Sequence, residues 1–164
     1  MRLINFKTRI MLTVMLAVSM GGFAQFGGGD GSQGNPYQIS TAAQLADLAT
    51  NVNSGTTYSG VYFILNNDID LNIAPHNTGT GWMPIGWYDG FADIEYPFMG
   101  NFNGNNKKIT NLFIDDNSRN CAGLFGIING GSIENLGVEN VNINGGHDVG
   151  GVVGYIYNNC TINN

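Results

Sequence analysis

The stretch that decides the fold is Cys121-Ala-Gly-Leu-Phe-Gly-Ile-Ile-Asn-Gly-Gly-Ser-Ile-Glu-Asn-Leu-Gly-Val138. Its core, Gly123-Leu124-Phe125-Gly126, returns further along the chain as Gly151-Val152-Val153-Gly154. A second pattern, Ile-x-Asn, begins at Ile109, Ile133 and Ile162. Each of these steps falls within the period of roughly 20–50 residues that is typical of solenoids and other repeat architectures. The chain therefore contains a structural repeat.

The composition of the repeat predicts strands rather than helices. Each unit is interrupted by glycines, such as Gly130-Gly131, and carries β-branched residues in place of helix formers. A short β unit of this kind buries its apolar side chains by stacking on its neighbours, one coil upon the next. We therefore predict an all-β fold, a right-handed parallel β-helix (solenoid) with a short N-terminal capping α-helix.

The same residues resemble the GLUG motif, a repeat of bacterial secreted and cell-surface β-solenoid proteins. Gly123-Leu124-Phe125-Gly126 is similar to the motif core, and the second copy departs from it by having Val152 in place of leucine. The segments that are similar to the family's usual lead-in are residues 35–40 with Leu45, residues 82–86 and residues 97–105. The resemblance covers nearly everything after residue 24, and it implies a solenoid at the cell surface without specifying an activity.

Residues 1–24 have the pattern of a secretory signal peptide. A short basic segment precedes an apolar run from Ile10 to Met20, and Gly22 and Ala24 occupy the small positions that a signal peptidase recognises. An uncleaved membrane anchor is the alternative, which the shortness of the apolar run disfavours. We predict an exported protein, at the cell surface or extracellular, without a transmembrane segment in the mature chain.

The charge of the chain argues against nucleic acid or an anionic membrane as a partner. The formal net charge is −6, and it becomes −9 without residues 1–24, which hold three of the six basic residues and none of the twelve acidic ones. Both of those partners require clustered Lys and Arg. Lys107-Lys108 is the only basic pair that remains. The predicted partner is an extracellular protein or glycan.

Glycine is unusually abundant, at 25 of the 164 residues, and asparagine is nearly as frequent. Charged residues make up 11% of the chain, against roughly 25% in ordinary soluble domains. The 43% of hydrophobic residues is more than a disordered chain usually carries. The composition therefore predicts many tight turns, because Gly and Asn tolerate left-handed backbone conformations.

Two segments are predicted between the leader and the solenoid. Residues 25–35 are glycine-rich, which predicts a flexible linker. Residues 36–60 are predicted to form a cap with a helix at 41–52, which begins with a capping-box pattern at Thr41 and Gln44. Its apolar stripe at i, i+3, i+4 and i+7 is Leu45, Leu48, Ala49 and Val52.

The solenoid is predicted at residues 61–164, with repeats at about 121–148 and 149–164. The last repeat is incomplete, so we predict a fragment of a longer protein, with more repeats or a C-terminal anchoring domain beyond Asn164. Asn111, Asn135 and Asn164 share one position of the Ile-x-Asn pattern. That recurrence predicts an internal ladder of stacked asparagines.

The two cysteines, Cys121 and Cys160, leave two alternatives open. Export permits a disulfide. The repeat register, however, aligns Cys121 with Val149 and places Cys160 beside the position of Ser132, at a different corner of the coil. Buried thiols that behave as small hydrophobic side chains are the default interpretation.

The aromatic segment within residues 74–96 supplies the candidate ligand surface. Its members are Trp82, Trp87, Tyr88 and Tyr96, with carboxylates between them. Exposed rings beside carboxylates suit sugar binding by ring stacking. The alternative is that the rings pack on the flank of the solenoid, which is the commoner fate of bulky rings.

Patterns for catalysis and metal binding are weak. Asp68 and Asp70 lie on one strand face, but calcium takes about 6–8 oxygen ligands, and we predict no cofactor. Asp115, Asp116 and Arg119 are the nearest candidates for a polysaccharide-acting site, although their run has the composition of a turn. The catalytic motif of the immunoglobulin-A-specific metallopeptidases that carry GLUG repeats has no counterpart in these residues.

We therefore predict a non-catalytic, exported repeat module for surface binding, adhesion or scaffolding, within a larger cell-surface protein. The alternatives are a polysaccharide-acting β-helix enzyme and an accessory repeat region of a secreted peptidase. An enzyme requires a groove with clustered carboxylates, and a pure spacer predicts no saturable binding to any partner.

Overall fold

A computed structural model describes residues 25–89 and 94–163. The predicted signal peptide, residues 1–24, and Asn164 lie outside the described residues. One helix, α1 (Ala42–Asn53), and twelve strands are described: β1 (Tyr37–Ile39), β2 (Tyr62–Leu65), β3 (Ile69–Asp70), β4 (Trp87–Asp89), β5 (Ile94–Tyr96), β6 (Asn101–Thr110), β7 (Phe113–Asp115), β8 (Phe125–Asn129), β9 (Ser132–Glu139), β10 (Asn142–Asn144), β11 (Val153–Tyr157) and β12 (Thr161–Asn163).

The main sheet takes one strand from each successive coil, in the order β1-β2-β6-β9-β12, and β3 also pairs with β6. One position of this sheet is held in turn by Tyr37, Phe63, Phe102, Ile133 and Ile162. The middle three side chains are buried, since alternate residues of a strand point to the same face. The core-facing side chains of each coil thus stack on the core-facing side chains of the next coil.

Two smaller parallel pairs form other faces of the coil. β7 pairs with β10, where Ile114 lies beside Ile143, and β8 pairs with β11, where Phe125 lies beside Val153. The pairing of β4 with β5 is antiparallel, because these two strands form a hairpin within one coil. The prediction of an all-β parallel solenoid is confirmed by these pairings, and its right-handed sense stays a prediction.

Helix α1 lies in the first coil, between β1 and β2. Thr41 is the N-cap, and its hydroxyl accepts a hydrogen bond from Gln44 N at 3.2 Å. The Gln44 side chain accepts a hydrogen bond from Ser40 N at 2.8 Å. In the usual capping box the donor is the backbone N–H of the N-cap residue, whereas here it is the N–H of the residue before the N-cap. The predicted apolar stripe is buried in the central core: Leu45, Leu48, Ala49 and Val52. The predicted helix is confirmed.

The last residue of α1 fastens the helix to a different face of the solenoid. The Asn53 side chain donates to Pro84 O at 3.0 Å and accepts from Gly86 N at 2.9 Å. Ile85, between them, bridges in parallel to Phe125 of β8. The helix therefore closes the first coil at the position where later coils have β8 and β11.

Residues 25–35 do not form a flexible linker, and that prediction is wrong. Phe26 is buried, with its ring 5.0 Å from that of Tyr37 and 5.4 Å from that of Phe63, centroid to centroid. Gly27 N donates to Gln38 O at 2.8 Å, so this segment hydrogen-bonds along β1 and covers the outer edge of the sheet. Covering that edge satisfies backbone groups that would otherwise be open to another chain.

The glycines of this segment allow close backbone packing. A Cβ on Gly29 would lie 1.9 Å from Pro36 O. Glycine content alone does not distinguish a flexible chain from one that must approach its neighbour closely. The solenoid accordingly begins at β1, inside the segment predicted as the cap, rather than at residue 61.

The structure confirms one of the two Ile-x-Asn steps and corrects the other. Ile133 pairs with Ile162, as the second step predicts. Ile109 pairs with Val138 instead of Ile133, whose partner is Phe102. The step from Ile109 to Ile133 is therefore not one coil, because the Ile-x-Asn pattern occurs at two different corners.

The predicted asparagine ladder is wrong for the described members, since Asn111 and Asn135 are not stacked on each other. The Asn111 side chain donates to Asp70 Oδ1 at 2.8 Å, and the Asn135 side chain donates to Asn103 Oδ1 at 3.3 Å. Both residues have positive φ angles, of 59° and 52°. Asparagine therefore serves first as a corner residue and second as a lateral hydrogen-bond donor.

Left-handed asparagines are a general feature of the corners. Six of the nine non-glycine residues with positive φ in the described chain are asparagines: Asn105, Asn106, Asn111, Asn135, Asn140 and Asn158. Asn adopts this conformation at lower cost than most residues, because its short polar side chain bonds locally. The prediction that Gly and Asn mark tight turns is confirmed.

Both thiols are free in the structure, with Cys121 buried and Cys160 half-buried. Ala122 bridges to Val149, which places Cys121 one position out of the predicted register. The Cys160 thiol donates to the carbonyl of Tyr157 at 2.9 Å. Each thiol occupies a packed position of its own coil, in agreement with the default interpretation.

Candidate functional site

The two motif glycines of the first copy are positions of close backbone approach between coils. A Cβ on Gly126 would lie 2.0 Å from Gly86 O, and one on Gly123 would lie 2.6 Å from Gly150 O. Leu124 and Phe125, between them, are fully buried in the core. The motif thus combines two contact points for neighbouring backbone with two core side chains, which is a structural role.

The second copy fulfils these roles only in part. A Cβ on Gly154 would lie 2.6 Å from Asp148 O, but one on Gly151 would meet nothing closer than a Val141 methyl at 3.7 Å. Val152 and Val153 are half-buried and pack against the core cluster. Close approach is therefore required at the last glycine of the motif in both copies, and at the first glycine in one.

Trp82 is not part of a ligand surface, which corrects the prediction for this residue. Its side chain is buried, and its indole N–H donates to Leu124 O at 3.0 Å. The His76 ring packs edge-on against it at 5.1 Å. A large buried aromatic ring whose N–H has a hydrogen-bond acceptor is a stable part of a core. Trp82 therefore stabilises the motif segment through its hydrogen bond to Leu124.

Trp87 and Tyr96 face each other across the β4–β5 hairpin. They are directly paired residues, and their rings stack with centroids 6.1 Å apart and planes 12° from parallel. Both side chains are half-buried. Cross-strand aromatic pairs of this kind stabilise a hairpin by about 0.2–1 kcal/mol. The pair therefore helps to hold the hairpin that also carries Tyr88, and a role of the two rings in ligand binding stays a prediction.

A cleft of about 410 Å³ lies between this hairpin and the corners of the next two coils. It collects residues from three stretches of the chain that are far apart in sequence. Its described lining is Tyr88, Glu95, Asn120, Cys121, Ile127, His147, Asp148, Tyr155 and Tyr157. Of the four residues predicted as a ligand surface, the structure brings only Tyr88 into this cleft.

The regular alternation of β11 positions the tyrosines. Tyr155 and Tyr157 are separated by one residue and therefore lie on one face of the strand. Their rings meet edge to face, with centroids 4.7 Å apart. Tyr155 pairs with Ile127 of β8, which is buried and forms the apolar floor of the cleft together with Cys121.

The polar rim is built by two stacked corners. His147 N donates to Asn120 Oδ1 at 3.1 Å, and Cys121 N donates to His147 O at 2.8 Å. Cys121 and Asp148 both have positive φ, of 56° and 58°. These bonds fix the corner of one coil on the corner of the next, so the rim is held by backbone rather than by side chains alone.

A hydrogen bond from the Tyr157 hydroxyl to Glu95 Oε1 ties β11 to the hairpin. The carboxylate raises the pKa of Tyr157 to about 12, chiefly through this bond, because it favours the protonated phenol. Because the pKa of Tyr157 is higher in the folded chain than its unfolded value of 10.0, this hydrogen bond stabilises the fold fully at pH values below 10.0. The stabilisation is lost as the pH rises through about 12.

We expect Glu95→Gln to bring the pKa of Tyr157 down towards 10.0, because the charged acceptor is removed while the shape is kept. Ultraviolet titration of tyrosinate absorbance measures this shift. Tyr157→Phe identifies the signal, since it should delete the ionisation step at about pH 12. An unchanged titration curve for Glu95→Gln contradicts the coupling.

Burial raises the pKa of the Cys121 thiol to about 11, and the charges of Asp148 and Glu95 add to the effect. The thiol is therefore protonated at neutral pH. A nucleophilic cysteine needs the opposite shift, towards the thiolate. Cys121 and His147 line the same cleft, but their contact is through the backbone, where Cys121 N donates to His147 O.

The carboxylates considered for calcium are used in hydrogen bonds within and between coils. Asp68 Oδ1 accepts from Lys108 N, and Asp70 Oδ1 accepts from Asn72 N, both at 2.8 Å. The bonds from Asn111 and Asn72 lower the pKa of Asp70. Within the described residues, no group of three or more His, Cys, Asp or Glu is placed to hold a metal ion.

Asp116 and Arg119 form a closed turn. Asp116 accepts from Ser118 Oγ at 2.6 Å and pairs with the Arg119 guanidinium at 3.0 Å. The hydrogen bond from Ser118 is the largest cause of a lowered pKa at Asp116, and the Arg119 guanidinium lowers this pKa further. Asp115 lies on β7 and accepts from Asn144 of β10 at 2.9 Å. The structure therefore places these residues in a turn and a lateral bond, and not around a shared groove.

Most of the cleft was missed from the sequence. Asn120, His147 and Asp148 occupy corners, and Glu95 belongs to a hairpin that is 62 residues from Tyr157 along the chain. One local signal was present, because Tyr155-x-Tyr157 places two rings on one strand face. The partners of those rings depend on the coil register, which only the structure supplies.

The fold and the cleft define a parallel β-solenoid module, and the comparisons with known proteins agree with a repeat region. The chain is 35% identical over 136 residues to a Gly-rich membrane protein of Evansella cellulosilytica, which covers 83% of this chain and 14% of that protein. It is also 35% identical over 130 residues to halomucin of Haloquadratum walsbyi, which covers 77% of this chain and 1% of that protein. No family model matches the chain, and no solved structure does.

The chain therefore spans only a small part of the length of the curated relatives that it matches. Most of the chain is nevertheless similar to each of them, so the likeness covers the solenoid and not a single motif. None of the described residues forms a helix that is long and apolar enough to cross a membrane. The comparisons suggest a surface or structural repeat region of a larger protein.

Proposed function

We propose that this chain is an exported, non-catalytic surface module of the GLUG type, which serves a larger protein as a stiff scaffold and binds an extracellular protein or glycan. The observation that carries the proposal is the outer surface of the solenoid, where side-chain hydrogen bonds join adjacent coils. Successive coils are joined through one parallel sheet, and polar side chains on the outside are hydrogen-bonded from coil to coil.

The lateral bonds support the rigidity of that surface. They join side chains of adjacent coils at several corners and faces of the solenoid. The pairs are Gln38 with Asn66, Asp70 with Asn111, Asn101 with Ser132, Asn103 with Asn135, and Asp115 with Asn144. A surface held in this way loses little side-chain entropy on binding, which favours recognition.

The protonation and hydrogen bonding of the potentially reactive side chains support the non-catalytic part of the proposal. The Cys121 thiol is protonated and buried, and Asp116 is engaged by Ser118 and Arg119. A hydrolase or lyase needs reactive groups that converge on one substrate position. In the described chain, Asp116 is held by bonds within its own turn, and the Cys121 thiol is protonated in a different place, on the floor of the cleft.

The likeness to a protein described as a Gly-rich membrane protein and to halomucin supports a role within a larger protein. The GLUG assignment is supported by the contact roles of Gly123 and Gly126, and the export by the leader pattern of residues 1–24. We infer that the module acts without a cofactor.

The proposal predicts saturable binding of the purified chain to at least one component of a broad array of extracellular glycans and matrix proteins. Binding should depend on the fold, because the surface exists only when the coils are stacked. The heat-unfolded chain is the control and should lose the signal. A complete absence of saturable binding by the folded chain contradicts the binding role and leaves only a spacer.

A further inference from the structure

We propose that the cleft between the β4–β5 hairpin and the stacked corners of the following coils binds a neutral carbohydrate residue. The inference rests on the proposed binding function and assigns it a place and a ligand class. The volume of about 410 Å³ lies within the range of about 300–1,000 Å³ that is usual for small-molecule sites.

The aromatic wall provides the stacking surface. Tyr155 and Tyr157 project from one face of β11, and Tyr88 lines the cleft from the hairpin. Tyr155 is an exposed side chain, with 36% of its surface accessible to solvent. Tyrosine combines a flat apolar ring with a polar tip. It therefore matches the pyranose ring, which has an apolar face of C–H groups and a polar edge of hydroxyls.

The rim supplies hydrogen-bonding groups of both kinds. Glu95 and Asp148 provide acceptors, and the amide of Asn120 keeps its NH₂ group as a donor because its oxygen accepts from His147 N. Sugar hydroxyls both donate and accept, so such a mixed set suits them. Burial of the floor at Ile127 and Cys121 keeps one side of the cleft dry.

The charge of the cleft disfavours anionic ligands. Two carboxylates line it, and none of its described lining residues is Lys or Arg. Two basic side chains of the described solenoid are already engaged in ion pairs, since Lys108 pairs with Glu139 at 2.6 Å and Arg119 pairs with Asp116 at 3.0 Å. Phosphate, sulfate and uronic acid groups would be repelled.

A cationic ligand is the rival, because tyrosines and carboxylates also attract ammonium groups. The geometry favours the neutral sugar for two reasons. The faces of Tyr155 and Tyr157 do not converge on one point, since one ring meets the other edge-on. An ammonium group accepts no hydrogen bonds, so it would leave the Asn120 amide donors without an acceptor.

The test is a titration of the folded chain with a panel of neutral oligosaccharides of hexose, pentose and N-acetylhexosamine units, followed by calorimetry. We expect saturable binding to at least one, and Tyr155→Ala should weaken it about tenfold or more through loss of the stacking surface. Tyr62→Ala is the matched control, because it removes a half-buried tyrosine from β2, on another face. It should change the affinity by less than about twofold.

Asp148→Asn provides a second variant that keeps the fold, since asparagine also tolerates the positive φ of 58° at this position. Neutral-sugar binding should be weakened by less than about tenfold in this variant, because the amide oxygen still accepts a hydrogen bond, and it should not depend on ionic strength. Choline is the cationic probe, and any choline binding should be weakened both by the substitution and by salt.

Three results overturn the inference, and each is distinguishable from failure of the proposed function. Sugar binding that survives Tyr155→Ala places the ligand on another face and leaves the proposed function intact. Binding of choline without binding of any sugar rejects the neutral ligand class. Absence of binding to both probes rejects the cleft as a site, whereas the proposed function is decided separately by the array of extracellular glycans and matrix proteins.

Discussion

Phe125→Ala is expected to lower the free energy of unfolding by about 3–5 kcal/mol, the usual cost of removing a fully buried phenylalanine. Phe125 is fully buried on β8, with ring centroids 5.3 Å from Phe98 and 5.2 Å from Phe102. Those two rings belong to the preceding coil and the main sheet. The cavity would therefore open where two coils meet, and neighbouring aromatic rings cannot collapse into it without breaking their own contacts.

Chemical denaturation followed by circular dichroism measures the loss. Phe113→Ala is the matched control, because Phe113 is half-buried on β7 and its role in pairing is through backbone. The control should cost about 1–2 kcal/mol, in proportion to the smaller buried area. Equal losses of unfolding free energy for the two variants would contradict the larger contribution that full burial of Phe125 between two coils predicts.

Gly126→Ala is the second large effect, with an expected loss of about 2–4 kcal/mol from a single methyl group. The added Cβ would lie 2.0 Å from Gly86 O and 2.8 Å from Cys121 O. Both are backbone atoms, so no side chain can rotate away to make room. Gly86 N also donates to the Asn53 side chain of α1, so the displacement would reach the helix.

Gly151→Ala tests whether a motif glycine is needed because of a close backbone neighbour or only because of its place in the motif. Gly151 is a glycine of the second motif copy, but a Cβ there meets only a Val141 methyl at 3.7 Å. Its substitution should change stability by no more than about 0.5 kcal/mol. The comparison is made by thermal unfolding of the two variants. If Gly151→Ala is as harmful as Gly126→Ala, close backbone approach is not the reason for the glycines.

The repeat could be predicted from the sequence because its strongest signal is geometric. Glycines that must lie against a neighbouring backbone recur with the coil, so the step from Gly123 to Gly151 equals the step from Phe125 to its strand partner Val153. Helix α1 was predictable for a similar local reason. Its cap at Thr41 and its apolar stripe lie within one short segment of the chain.

The errors arose where one pattern serves two structural roles. Ile-x-Asn marks an inward side chain followed by a left-handed corner, and the coil has more than one such corner. The pattern therefore aligns Ile109 with Ile133, although Ile109 pairs with Val138 and Ile133 pairs with Phe102. Likewise the glycines of residues 25–35 predict flexibility by their composition, whereas Gly29 lies against the Pro36 carbonyl.

The cleft could not be predicted, because no local pattern specifies it. Trp82 and Tyr88 belong to one aromatic segment, yet the first is buried in the core and the second lines the cleft. The difference depends on which side of the backbone faces the next coil. The contact between Tyr157 and Glu95 likewise depends on coil stacking and on an inserted hairpin.

The inserted hairpin has a consequence for how such modules can change. The coil that carries it runs from Tyr62 to its strand partner Asn101, which is markedly longer than the coil from Ser132 to its partner Thr161. The extra length leaves the register intact, since lengthening a loop costs only about 0.6 kcal/mol per doubling. Corner segments can thus be exchanged while the framework stays the same, and the chemistry of the cleft can diversify independently of the stability of the coils that carry it.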